Sequence, residues 1–164
     1  MWRSVTELWP VPKRDELKVL PMRHKDNPAG PVAWVVFLLL RMMRKLGSAW
    51  AKNTYERFVQ NIGDVVYYVD NTPSKSLQGH ESIHTFQRET LGTIRYLWRY
   101  YSGRKGRRHA EAMAYAYETV AHGRDPEERA RAAADPVYML GWDASEAREL
   151  LDAYADKFRK EWRL

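Results

Sequence analysis

The stretch LQGHESIHTFQRE, Leu77–Glu89, sets two histidines four positions apart with a glutamate directly after the first. On an α-helix, side chains four apart leave the same face about one turn apart, so His80 and His84 can offer imidazole nitrogens to one ion. Glu81 is offset around the helix. It would flank such an ion at a distance suited to a bound water, where a general base belongs. The spacing is meaningful only on a helix, so the neighbouring sequence decides it.

Upstream, GDVVYYVDN sets β-branched and aromatic residues between a Gly-Asp start and an Asp-Asn stop, which predicts a strand. Asn71–Pro73 carry cap and breaker chemistry. An apolar stripe then runs through Leu77, Ile83, Phe86, Thr90, Ile94 and Leu97 to a stop at Gly103, predicting one long helix that carries the motif. GRKGRR, Gly103–Arg108, reads as a basic loop. RHAEAMAYAYETVAHG is a second helix, ending before Gly123. On it Glu111, Tyr115, Glu118 and His122 share one face, being four, three and four apart. A return antiparallel to the first helix would bring one of Glu111, Glu118 or His122 to the histidines. Spacing alone leaves the three in competition as the third ligand.

The remaining segments frame this pair. Residues 1–30 carry proline and single aromatics, including Trp2 and Trp9, and read as an extended arm with at most one short strand near Leu17–Leu20. Such an arm wraps its own domain or a neighbour. Residues 31–164 are expected to form a single domain. From Pro31, apolar positions at Val36, Leu40, Met43 and Trp50, then Phe58 and Ile62, suggest one long helix or two broken near Gly47. The apolar run VAWVVFLLL, Val32–Leu40, is about half of the roughly 20 residues a membrane-spanning helix needs, and reads as buried core. DPEERARAAADP is a short helix with Asp125 as N-cap. In the last helix Asp143 and Glu146 make a capping-box pair, and Ala147, Leu150, Leu151, Tyr154, Phe158 and Trp162 form one apolar face. The expected class is α+β, mostly helical, with a small sheet.

Composition narrows the chemistry. Hydrophobic residues make up 45% and aromatics 13% of 164 residues, enough for one folded domain. Cysteine is absent, so a metal site must be built from nitrogen and oxygen donors, and thiolate nucleophiles and disulfides are excluded. No Gly-rich phosphate loop and no GxSxG elbow occurs, which argues against nucleotide-dependent enzymes and serine hydrolases. The start MWRSVTELWPVP has charges and proline where a signal peptide would be apolar, so a cytoplasmic or virion-associated protein is expected, without a membrane span.

HESIHTFQ followed by EAMAYAYE resembles the zincin superfamily of HExxH zinc metallopeptidases, and within it the gluzincin-like proteins, including small bacterial and phage-encoded ones. The resemblance covers about Asp64–Thr119. It implies a zincin-like fold with Zn2+ held by His80, His84 and Glu111, the last with Ala114 three positions on, and Glu81 as the base. It also implies hydrolysis of a peptide or amide bond in a peptide or protein substrate. The segment has HAEAMAYA in place of the fuller N-E-x-x-S-D pattern of larger gluzincin peptidases. Tyr115, one turn after Glu111, is a candidate donor to a developing oxyanion.

Two other functions fit parts of the chain. A structural or assembly protein, such as a phage virion component, would use the aromatic, proline-rich arm to bind protein partners while keeping a zincin-like fold. A nucleic-acid-binding module would use GRKGRRH, with the net charge of +6 supplying weak, salt-sensitive, nonspecific affinity.

Overall fold

The computed structural model describes residues 8–56, 59–69, 73–135 and 140–164, apart from the side chains of residues 50 and 53. After a 3-10 turn at Arg14–Glu16 come β1 (Met22–His24), α1 (Gly30–Lys45) and α2 (Ala49–Glu56). A hairpin follows, of β2 (Gln60–Ile62) and β3 (Val65–Tyr68). The rest is helical: α3 (Lys75–Leu91), α4 (Thr93–Tyr101), α5 (Arg104–His122), α6 (Pro126–Ala134) and α7 (Ala144–Trp162). The chain is thus an α+β protein, mostly helical, with one small sheet among the described residues.

The helices gather around α5 because its sequence leaves it thin. Ala110, Ala112, Ala114 and Ala116 are all buried, so α3, α4, α6 and α7 can each approach it closely. Ile83, Met113, Leu151, Tyr154 and Phe158 fill this main core. A left-handed Gly123, φ 64°, ends α5 with backbone N–H groups returned to Glu118 and Thr119. Asp125 caps α6, and Asp143 with Glu146 forms a complete capping box on α7, as the local sequence predicts.

The sheet has the order β1-β3-β2. β1 runs parallel to β3 with Met22 opposite Val66, and β2 runs antiparallel with Asn61 opposite Val66. The expected strand near Leu17–Leu20 therefore forms two residues later, at Met22–His24, where pairing with β3 is available. β2 was not expected. Gly63, φ 64°, turns the chain between the two strands, so Ile62 lies in a strand and does not continue a helix.

Four expectations are corrected in the helical part. The motif helix does not run on to Gly103: Gly92, φ 79°, breaks it into α3 and α4 and leaves Ile94 86% exposed. GRKGRR is not a loop, since α5 begins at Arg104. Arg108 is buried there, donating through Nε to Leu140 O at 3.0 Å and stacked over Trp142. The run Val32–Leu40 is not wholly core. Ala33, Phe37 and Leu40 pack with Tyr55 and Tyr67 in a second, smaller core, whereas Val32, Trp34, Val35, Leu38 and Leu39 face outward. Of the apolar positions expected beyond it, Met43 is exposed, while Phe58 and the side chain of Trp50 lie outside the described residues. The break near Gly47 does occur.

Residues 1–7 lie outside the described residues, and from Leu8 the arm packs on its own domain. Trp9 stacks on His109 with ring centroids 5.9 Å apart, and its backbone N–H donates to the Tyr154 hydroxyl at 3.1 Å. That hydroxyl in turn donates to His109 Nδ1 at 2.9 Å. Lys157 Nζ donates to Leu8 O and Trp9 O, and Trp162 Nε1 to Pro12 O at 2.8 Å.

Close approach of α4 to α5 depends on Gly106. A methyl group there would lie 2.1 Å from the Arg99 carbonyl oxygen, whereas one at Gly103 would meet open space. Gly106→Ala should destabilise the fold by about 1–3 kcal/mol, the usual penalty for overpacking, while Gly103→Ala changes little; denaturant titration of both variants measures the difference.

His109 is an acceptor in a buried chain, and burial, with Lys105 and Arg99 adding to it, lowers its pKa from 6.5 to about 4. Between those values the unfolded chain binds a proton that the folded chain refuses, so stability falls as pH drops through this window. The thermal midpoint of the wild type should decline on acidification from 6.5 toward 4 more steeply than that of His109→Gln, as followed by circular dichroism.

Candidate metal centre

α3 carries the motif. Ser74, one position beyond the expected cap region, accepts from the Leu77 N–H at 3.2 Å and starts the helix, so His80 and His84 leave it one turn apart. Their rings meet edge to face at 5.0 Å. Antiparallel packing of α5 against α3 brings in Glu111, whose Oε2 lies 3.5 Å from His80 Nε2 and whose Oε1 lies 3.7 Å from His84 Nε2. One ligand atom from each of the three residues lies within 4.8 Å of the other two, a spacing that can hold a metal ion.

This arrangement separates the three competitors. Glu111 joins the histidines. Glu118, two turns on, lies behind the site: its Oε1 accepts from His80 Nδ1 at 2.8 Å, and its Oε2 accepts from Ser76 Oγ at 2.8 Å and Arg129 Nη1 at 3.2 Å. His122 packs against the Tyr117 ring, away from the group. Tyr115 is buried with its ring edge-on to His80 at 4.7 Å. A different phenol reaches the ligands, since Tyr100 donates to Glu111 Oε1 at 2.6 Å.

Each candidate ligand is thus held from behind. His84 Nδ1 donates to Gln87 Oε1 at 3.0 Å, and the Gln87 amide is oriented by its own donation to Ala110 O at 3.0 Å. With Nδ1 of both histidines committed to acceptors, both Nε2 atoms are left facing Glu111, the tautomer a metal ligand needs. Tyr96 sits with its hydroxyl 3.5 Å from His84 Nδ1. Gln87 enters the sequence reading only as the last residue of HESIHTFQ, and Tyr96, Tyr100, Ser76 and Arg129 carry no site role in it. Gln87 had a local signal, three positions after His84 and on the same face, but the others come from α4, α6 and the first turn of α3 and had none.

The electrostatics are those of a site with too many carboxylates. Glu81, Glu111 and Glu118 are all buried, and of the three it is Glu118 that pairs with a fixed cation, Arg129, at 3.2 Å. Burial opposes ionisation of Glu111, yet the charge of His84, the hydrogen bonds to His80 and Tyr100, and the charge of His80 hold its pKa down to about 2. Burial likewise opposes a charged His80, and the hydrogen bonds and charges of Glu111 and Glu118 overcome it, raising its pKa to about 10. A proton on His80 therefore occupies the place a metal would take, and a metal must displace it. Glu81 differs: burial raises its pKa, the neighbouring histidines pull it down only in part, and its carboxylate makes no hydrogen bond to a described residue. Because Glu118 holds the His80 ring from behind, Glu118→Gln should weaken zinc binding roughly 10–100-fold without unfolding the protein, measured by competition with a chromogenic chelator.

Comparison with known proteins adds no relative: no protein-family model, no curated protein and no solved structure matches the chain.

Proposed function

We propose that the protein is a zinc-dependent metallopeptidase-like hydrolase of the zincin, gluzincin-like type, acting on a peptide or amide bond. The observation that carries this reading is the convergence of His80, His84 and Glu111 beside a buried carboxylate, Glu81, that has no hydrogen-bonding duty among the described residues. A buried carboxylate without a partner is costly, and such groups concentrate where chemistry uses them.

The donor set fits zinc, two imidazole nitrogens and one carboxylate oxygen with an orienting partner on each. Zinc bound there would supply a Lewis acid, lowering the pKa of water toward neutrality and polarising a substrate carbonyl. The chain's own groups do the rest. His80 and His84 present Nε2, fixed by Glu118 and Gln87. Glu111 presents its carboxylate, fixed by the Tyr100 hydroxyl. Glu81, with its affinity for protons raised by burial, takes the proton of the attacking water and passes it to the leaving amine. Tyr100 stays protonated, because burial and the nearby Glu111 charge push its phenol well above the ordinary value, so it remains a donor at the edge of the site. Its one proton is engaged on Glu111, so Tyr115, whose ring lies edge-on to His80, stays the candidate donor to a developing oxyanion.

The basic-segment reading is weaker on this geometry. Of its cations, Arg104 and Lys105 are exposed, while Arg108 is committed to backbone carbonyls and Trp142.

Purification without chelators should yield about one zinc per chain by mass spectrometry, lost in His84→Ala. Glu81→Gln should keep the zinc and lower cleavage of a quenched fluorescent peptide library by roughly 100–10,000-fold. Zinc-free wild type, or undiminished cleavage by Glu81→Gln, would remove this reading.

A further inference from the structure

We propose that the outer face of α1 is a self-association surface on which a second copy of this chain packs its own α1. The inner face of the helix is spent on the small core through Ala33, Phe37 and Leu40. The opposite face is equally apolar and, among the described residues, uncovered: eight large hydrophobic side chains of α1 and its C-cap are between 39% and 85% exposed. Exposed apolar surface of this extent on one element marks a contact site.

Three features choose the occupant. The first is spacing. Val32, Val35, Leu39, Met42 and Leu46 recur at intervals of three, four, three and four, which is the seam that lets one helix interlock with another. Trp34, 56% exposed, flanks the seam and gives it an aromatic anchor. The second is charge. Arg41 is paired with Asp26 and Arg44 with Glu56, which leaves Lys45, exposed in the last turn, as the one cation of the helix without an ion pair among the described residues. What remains on the face has little for an acidic partner or an anionic headgroup to recognise, but it is complementary to itself, as a two-fold contact requires. The third is area. Eight large hydrophobic side chains, 39–85% exposed along one helix, make an extended apolar surface, and a two-fold contact covers it on both copies at once. Two heptads are too short to pair as a free peptide, but here the helix is already folded onto a domain, so the cost of ordering it is met within the monomer.

The lack of cysteine allows a clean test on the full chain. Sedimentation velocity should give a dimer that dissociates on dilution, and the double variant Leu39→Glu with Met42→Glu should sediment as a monomer with unchanged circular dichroism. Independently, Leu39→Cys should form a disulfide-linked dimer under mild oxidation, while Lys52→Cys, exposed on the neighbouring α2, should not. The proposal is overturned by a monomer at all concentrations, by a dimer that persists undiminished in the folded double variant, or by equal cross-linking at both cysteines. Binding of a monomeric wild type to phosphatidylserine vesicles, lost in the double variant, would overturn it in favour of a membrane face.

Discussion

His80 is gripped at both ring nitrogens by carboxylates of a single neighbouring helix, and the rest of the helical layer is arranged to make that grip affordable. Glu111 and Glu118 lie seven residues apart on α5, so both can face one histidine of α3 only in a single register of the two helices. Buried charge without a partner costs several kcal/mol, which makes any slipped register unfavourable. Glu118 extends the constraint. By also accepting from Ser76 and Arg129, it ties the start of α3 and the whole of α6 to the same point.

Small residues make this register sterically accessible. A methyl group on Gly79 would fall 2.2 Å from a Tyr117 ring atom, so α3 and α5 meet where one of them has no side chain. On the other flank, the break at Gly92 redirects the chain so that Tyr96 and Tyr100 turn toward His84 and Glu111. An unbroken helix would have carried both phenols away along the α3 axis.

What was legible in the sequence follows from how local each signal is. The caps at Asp125 and Asp143, the stop at Gly123 and the shared face of His80 and His84 depend on a few adjacent residues, and each appears as read. The choice of Glu111 over Glu118 or His122 depends on how α5 returns past α3, which no spacing encodes. GRKGRR looked like a loop because two glycines usually break helices. Gly106 is instead kept inside α5 by the need to pass the Arg99 carbonyl. Val32–Leu40 is apolar on all sides of its helix, so composition could not tell which half meets the core and which meets solvent. β2 was hidden because Gly63-Asp64 reads equally well as the start of one strand or the turn between two.

The hydrogen bond from Trp9 to Tyr154 joins residues 145 positions apart, and with Lys157 and Trp162 it fastens the beginning of the described chain to its last helix. During synthesis Trp9 can meet His109 once α5 is made, but the hydrogen bond of its backbone to Tyr154 waits for α7. Closure of the main core is therefore a late event with a long loop to close, whereas the α1–α2 hairpin can form while the remainder is still being made. A chain stalled before Ala144 would expose the side of α5 that α7 covers, a surface a folding chaperone is suited to hold.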